Sequence, residues 1–469
     1  MPNDMYAVSL GMELRDYQSK LKADTYTAWR HHRRVCMQLP TGGGKTRIIA
    51  DIVRDIVEAG KTANILVHRH ALVGQMTQAL VDVGVMPHAI VAGSIDRKAP
   101  CYVSMVQTAT RRPLPYTDVL IVDECHHAVS SSYRKILSRH TGKQLGVTAT
   151  PERLDGKGLE DQYDELVVGP PMQDLIDLGY LVPSDIISVP MDTTEPMRML
   201  GGEFNSHDAG LAMQRSVLHG DVIDSYREFA SGARCLVFAV NVELAGQYCE
   251  EYQAAGINAM VIHGKMHKAH VQRNIDLFRS GLCDVLVNVM IATEGLDIPQ
   301  CDAVQLLRPT ASLSLYLQMV GRALRPAPGK QAAIIIDHAG NVQRHGYPEA
   351  TRRWSLYGRR VRERDELPPI IQVDAPDLET EPRGPLHVRG VKLVRMRQAV
   401  RDALPASLRV LVRDAQSRGL RGAEQYIWQQ WCRHNKPTRD VIRAYADEME
   451  LPYSWQANEQ IIHAMATVQ

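Results

Sequence analysis

Residues 35–60 read VCMQLPTGGGKTRIIADIVRDIVEAG, and the order of residue types along them decides the architecture. VCMQL (35–39) is a short apolar run of strand length. TRIIADIVRDIVEAG (46–60) carries apolar residues at i, i+3 and i+4 and closes on a glycine, the pattern of an amphipathic helix with its stop signal. A strand, a glycine turn and a helix in succession form one crossover step of a parallel sheet. The turn, LPTGGGKT (39–46), has a chemical meaning too. Backbone N–H groups of a glycine-rich loop at a helix N-terminus converge on phosphate oxygens. Thr41, Gly42, Gly43 and Gly44 would form the cradle, with Lys45 on the β and γ phosphates and the Thr46 hydroxyl on Mg²⁺. The strict G-x-x-x-x-G-K-T spacing is not met, because Leu39 stands where the first glycine belongs.

The same strand-and-helix rhythm runs along most of the chain, twice. The first half offers strands at 35–39, 64–68, 102–106, 119–123 and 145–149, and the second at 235–240, 259–263, 284–289, 303–307 and 332–337. Buried runs joined by helical segments imply an α/β chain with two tandem parallel-sheet domains. MDTTEPMRMLGGEFNSHDAG (191–210) breaks the rhythm with Pro, Gly and polar residues. The expected division is a first domain over 1–190, a linker over 191–204 and a second domain over 205–346. A basic segment and proline-rich linker over 347–388 and a basic helical region over 389–469 would follow.

Composition narrows the partners. The chain has 469 residues, 45% of them hydrophobic and 23% charged, with a net charge of +1, so any nucleic-acid surface must be local. Its eight cysteines form no C-x-x-C pair, which suits reduced thiols in the cytoplasm rather than a zinc ribbon or disulfide framework. No apolar stretch reaches membrane-spanning length, so no membrane partner is expected.

LIVDECHHAVS (120–130) poses a choice between a Cys125/His126/His127 metal site and acid chemistry by Asp123 and Glu124. The three potential metal ligands lack partners at matching spacing. Two acids at the end of an apolar strand suit a nucleotide-bound Mg²⁺, with Asp123 holding the metal and Glu124 orienting or deprotonating water. HGKMHKAH (263–270) likewise lacks a completing carboxylate or Cys and fits a loop after a strand.

PTGGGKT, DECH and TATP (148–151) together resemble motifs I, II and III of the superfamily 2 DExH-box ATP-dependent helicases. Leu39 in place of glycine is the form that superfamily usually shows. RDYQ (15–18) is similar to the adenine-reading segment, with Gln18 as its hydrogen-bonding residue. ILVHRHALVGQ (65–75), SMVQT (104–108), LVFAV (236–240), ATEGLDIP (292–299) and QMVGRALRP (318–326) match the remaining motifs in order. The resemblance covers about residues 12–346 and implies two RecA-like domains with ATP between them. It also implies an ATP hydrolase coupled to translocation along, or unwinding of, nucleic acid. Asp297 would touch the ribose or the domain interface, and Arg69, Gln107, Thr108, Thr293 and Arg308 would contact the phosphate backbone. LLRPTASLSLYLQMVGRALRP with IIIDHAGNVQRHG looks closest to RadD-like DNA-repair helicases and their phage relatives, which favours DNA. That group's cysteine zinc module has no counterpart after this point, where only Cys432 remains.

A helix begun near Ser312 would place Gln318, Arg322 and Arg325 at i, i+4 and i+7, on one face. Arg325 is the expected arginine finger, with Arg322 beside it on the γ phosphate. Two alternatives remain at this point, an RNA helicase and the motor subunit of a restriction-type complex. No P-D…[DE]-x-K nuclease pattern follows Pro376-Asp377. Between Arg383 and Arg443 stand fourteen Lys or Arg against four acids, which points to a module gripping phosphates or docking a protein partner.

Overall fold

The computed structural model describes residues 13–95, 97–128, 130–152, 158–188, 199–200, 203–205, 209, 222–289, 301–358, 370–373 and 394–398. Seven strands build the first sheet: β1 (Arg34–Gln38), β2 (Ala63–Val67), β3 (His88–Ile90), β4 (Cys101–Met105), β5 (Val119–Asp123), β6 (Lys143–Thr148) and β7 (Glu165–Val168). They lie in the order β3-β4-β2-β5-β6-β1-β7, with every pair parallel. The helix Lys45–Glu58 buries Ile48, Ile49, Ile52, Val53 and Ile56, so its apolar stripe packs in the core with Val35, Met37 and Ile65. Burying a stripe of that kind is worth roughly 1.5–3 kcal/mol per aliphatic side chain.

A second sheet contains β8 (Ser184–Ser188), β11 (Cys235–Ala239), β12 (Ala259–His263), β13 (Val285–Val289), β14 (Ala303–Leu307) and β15 (Ala333–Asp337). Its order is β12-β13-β11-β14-β15-β8, again parallel throughout. Between β8 and β11 comes a small antiparallel hairpin, β9 (Met199–Leu200) and β10 (Glu203–Phe204).

All ten strands expected from apolar runs are present within two residues of their expected ends. Ser184–Ser188 departs from the expected division, which put residues up to 190 in the first domain. It pairs with β15 instead, setting Ile186 opposite Ile335 and Ile187 opposite Ile336. The buried Ile pair needs an apolar neighbour, and that edge supplies it. The chain after β15 also crosses back. Leu356 lies in the core of the first domain with Leu120, Val122 and Tyr163, and its carbonyl accepts from the Leu159 N–H at 2.6 Å.

The described residues fall into two compact units, and both sheets' strands up to β15 belong to the first. The second contains an antiparallel hairpin of β16 (Ile370–Val373) and β17 (Val394–Gln398). This strand corrects the helical expectation for residues 394–398. Val394 and Met396 alternate with Arg395 and Arg397, a period of two that suits a strand. The remainder of the expected helical region, 399–469, lies outside the described residues.

Candidate nucleotide and nucleic-acid site

At the carboxyl end of β1 the chain turns through Gly42 and Gly44, both at φ +85°, where a side chain would be strained. Leu39, in place of the expected glycine, lies fully buried beneath this turn, and a Cβ on Gly43 would stand 2.7 Å from its Cγ. A leucine there supports the loop from below, and the turn is closed by the Gly43 N–H donating to the Pro40 carbonyl at 3.0 Å. Gly44 is the N-cap of the helix that opens with Lys45 and Thr46. The loop thus combines a glycine turn with a helix N-terminus, an arrangement suited to phosphate.

Gln18 is buried against the same loop. Its Nε2 donates to the Gly43 carbonyl at 3.1 Å and its Oε1 accepts from the Arg15 N–H at 3.0 Å. Tyr17 donates to the same Gly43 carbonyl at 2.8 Å and packs on Tyr180, with ring centroids 5.3 Å apart. The Arg15 guanidinium lies 4.1 Å from the Tyr180 centroid. Sequence reasoning does not single out Tyr17, Arg15 or Tyr180. Tyr17 and Arg15 flank Gln18 and could be found that way, whereas nothing around Tyr180 marks it.

β5 carries Asp123 and Glu124 to the neighbourhood of Lys45. Lys45 Nζ stands 3.7 Å from Glu124 Oε1. Glu124 is the one non-glycine residue at positive φ among the described residues, at +49°. Backbone strain of this kind is concentrated at functional sites. Asp123 Oδ1 accepts from the Glu124 N–H at 3.0 Å. Burial, then the charge of Glu124, push the Asp123 carboxyl up to about 7, against the pull of Lys45.

The residues after the acids diverge. Cys125 turns into the core, its Sγ 3.7 Å from Cys36 Sγ, and burial pushes its thiol well up. His126 Nδ1 is 3.1 Å from Thr148 Oγ1 and 3.5 Å from Glu124 Oε2. Thr148 in turn donates to the Thr150 carbonyl at 3.0 Å, so DECH and TATP are physically joined. His127 packs on His68, with centroids 4.9 Å apart.

The second domain reaches the cradle through Gly321. A Cβ there would meet Thr41 Cγ2 at 2.5 Å. Ser312 caps the helix Leu313–Val320, its side chain accepting from the Leu315 N–H at 3.1 Å. The helix stops before Arg322, which corrects the expected continuous face. Past Val320 the bonds shorten to three-residue turns, Arg322 N–H to the Met319 carbonyl and Ala323 N–H to the Val320 carbonyl. Pro326 further disfavours helical backbone at Arg325. Gln318 therefore lies on the helix, while Arg322, buried, and Arg325, half-buried, follow it on a turn.

Among the described residues, Thr41 Oγ1 and Gln318 Nε2 are buried polar atoms without a hydrogen-bond partner. Orphaned groups beside a glycine cradle fit a polar ligand there. Asp297 and Thr293 lie outside the described residues.

Of the expected strand contacts, Arg69 is the N-cap of the helix His70–Val81, directly after β2. Gln107, in the short helix Val106–Ala109 after β4, donates to the His68 carbonyl at 3.0 Å. Thr108 follows it, and its carbonyl accepts from the Arg111 N–H. Because β2 and β4 are neighbours, these three residues gather at one carboxyl edge. Arg308 follows β14 and donates to the Val240 carbonyl at 3.3 Å. Burial pushes its guanidinium below the usual value, with Glu203 opposing.

Residues 11–153 match the family model described as Type III restriction enzyme, res subunit, and residues 219–327 match the Helicase conserved C-terminal domain. A "51.5 kDa protein" of a Lactococcus phage is 32% identical over 322 residues, 68% of this chain and 69% of that protein. The protein named DNA 3'-5' helicase XPB from Mycobacterium tuberculosis is 27% identical, over 76% of this chain and 67% of its own. The chain spans 58% and 51% of the length of two yeast proteins described as putative ATP-dependent helicases. Among solved structures, a fragment of a putative HsdR subunit of a type I restriction enzyme from Vibrio vulnificus superposes with a TM-score of 0.56 at 22% identity. The superposition covers 71% of this chain and 67% of the fragment. With a glycine cradle facing two acids in one RecA-like domain, a second such domain abutting it, and these relatives, the chain belongs to the superfamily 2 helicases.

Proposed function

We propose that this protein hydrolyses ATP in the cleft between its two domains and uses the cycle to move along DNA. The observation that carries this is the convergence of Lys45, Glu124 and Thr41 with Gly321 of the opposite domain. Lys45 would bind the β and γ phosphates, and Glu124 would take the proton of the attacking water. Thr46 and Asp123 would hold Mg²⁺, which neutralises charge on the phosphates when bound. Gln318, Arg322 and Arg325 enter from the second domain, so hydrolysis requires the two domains together. Arg325 is assigned the transition-state charge. Gln18 and Asp297 would contact the nucleoside.

Arg69, Gln107, Thr108, Thr293 and Arg308 are assigned to the nucleic-acid backbone. DNA is favoured over RNA because the mycobacterial relative is named a DNA helicase. The resemblance of residues 306–326 and 334–346 to repair helicases supports the same substrate. Measuring ATP turnover of the purified protein with single-stranded DNA, duplex, forked DNA and RNA tests this. Stimulation by DNA is expected, and stimulation by RNA alone would overturn the assignment.

A further inference from the structure

The loop after β14 holds a carboxylate that none of the helicase motifs explains. Glu203, on β10, is far from this loop in sequence, yet both of its oxygens are engaged there. Oε2 accepts from Thr310 Oγ1 at 2.5 Å, and Oε1 accepts from the Ala311 N–H at 2.8 Å and from the Phe204 N–H at 2.9 Å. The charge of Glu203 acts on both Arg308 and Arg344, and Arg344 also covers the Phe204 ring at 4.9 Å. Arg344 feels Asp337 as well and lies 3.4 Å from the Thr310 carbonyl.

A hydroxyl and a backbone N–H on one oxyanion, with the Arg344 guanidinium 3.4 Å from the Thr310 carbonyl and Arg308 two residues before Thr310, match the way proteins hold phosphate. Two features point to a ligand beyond an internal anchor. Among the described residues Arg308 Nε is buried without a hydrogen-bond partner, so the donors there exceed what Glu203 satisfies. The cradle also lies at the carboxyl end of β14, beside the residue that follows β11, where open parallel sheets bind their ligands. The loop itself is held rigidly. Asn341 accepts from the Thr310 N–H at 2.9 Å and donates to the Arg308 carbonyl at 3.0 Å. Asn341 is braced by Asp337, which also accepts from the Val342 N–H at 2.8 Å. A preorganised cradle filled by a side chain, rather than by backbone, can exchange that internal anion for an external one of the same charge.

We propose that Arg308, Thr310, the Ala311 N–H and Arg344 form a binding site for a phosphodiester of the nucleic-acid strand, and that Glu203 occupies it as an internal anion until a strand displaces it. The inference rests on nucleic acid being the substrate. It adds a site of stated chemistry and a device that opposes binding in the resting protein.

The test uses the full chain and a fluorescent oligothymidylate, with affinity read by anisotropy. Glu203→Gln keeps an oxygen to accept from Ala311 but removes the competing charge. It should tighten binding about five-fold, the order of one ordinary hydrogen bond. In an Arg344→Gln background that gain should vanish. Hydrogen exchange on the wild-type protein gives a second readout that needs no variant. Amides of residues 199–205 should exchange faster when the oligonucleotide is saturating. Equal affinity of wild type and Glu203→Gln, or slower exchange of the hairpin on binding, overturns the inference. So does a gain in affinity for inorganic phosphate without a gain for the oligonucleotide, since that marks a free-anion site. If the wild-type protein binds no oligonucleotide at all, the nucleic-acid assignment has failed first, and this site falls with it.

Discussion

Lys45 and Glu124 face each other at 3.7 Å, joining the glycine loop after β1 to the acid turn after β5. The pairing keeps the glutamate's charge compensated and the lysine aimed over the cradle. Lys45→Ala should abolish ATP hydrolysis, because the phosphates lose their point charge and Glu124 loses its partner. Turnover of the variant within about ten-fold of wild type, a barrier change of only about 1.4 kcal/mol, would refute the placement of the phosphates.

Glu124→Gln should still bind ATP while hydrolysing it very slowly. The amide cannot take the proton from water, yet Asp123 remains to hold Mg²⁺. Filter binding of nucleotide together with single-turnover hydrolysis separates the two effects. Near-normal turnover would sink the assignment of the acids.

Asp123 supplies a pH dependence. Its carboxyl is raised to about 7 from an ordinary 3.8, chiefly by burial. A carboxyl whose folded value is raised holds its proton more tightly in the folded state than in the unfolded one. Stability therefore falls as pH rises from about 4 to about 7 and levels off above that. Without Mg²⁺, Asp123→Asn should melt higher than wild type at about pH 8, with the gap closing towards about pH 4. Equal melting temperatures on the alkaline side would contradict the buried charge.

Arg325→Ala should lose turnover by roughly 10³–10⁵ while keeping ATP affinity within several-fold, because such a finger acts on charge in the transition state. Steady-state kinetics with DNA present, alongside nucleotide binding, decide the matter. Normal hydrolysis by the variant removes Arg325 from this role.

Truncation after Asp365, at the edge of the first compact unit, removes the basic stretch that carries fourteen Lys or Arg against four acids. DNA binding should weaken, and the slope of log affinity against log salt should flatten by roughly 0.7–0.9 for each phosphate that is no longer neutralised. Basal hydrolysis should persist, since the proposed ATP-contacting residues all precede residue 346. Unchanged affinity and slope would leave the segment a different role, such as docking a protein partner.

Much of the fold is legible because the strands flanked by crossover helices are buried along their whole length and almost wholly apolar, as VLIVD and CLVFA are. β3, β7 and β8 are hidden from such a reading for a shared reason. HAI, ELVV and SDIIS are partly polar and located at or near sheet edges, where fewer neighbours demand apolar residues. The cap at Ser312 is readable from local chemistry, but the end of its helix is not. Nothing within one turn of Gly321 announces that Thr41, from the other domain, lies against it.

The chain's residue types alone determined which groups could do chemistry: a lysine and threonine behind three glycines, two acids at a strand end, arginines after a helix. Such patterns act over a few residues and depend on backbone propensity and periodicity, so they survive without a fold. The distances between them were decided only by tertiary structure. The sheet order puts β5 and β1 on either side of β6, which brings Glu124 to Lys45 and His126 to Thr148. Burial in that arrangement, not the identity of Asp123, raises its carboxyl towards neutrality. The meeting of Glu203 with Thr310 and Ala311 has the same origin, since the approach of residues far apart in sequence follows from how elements pack.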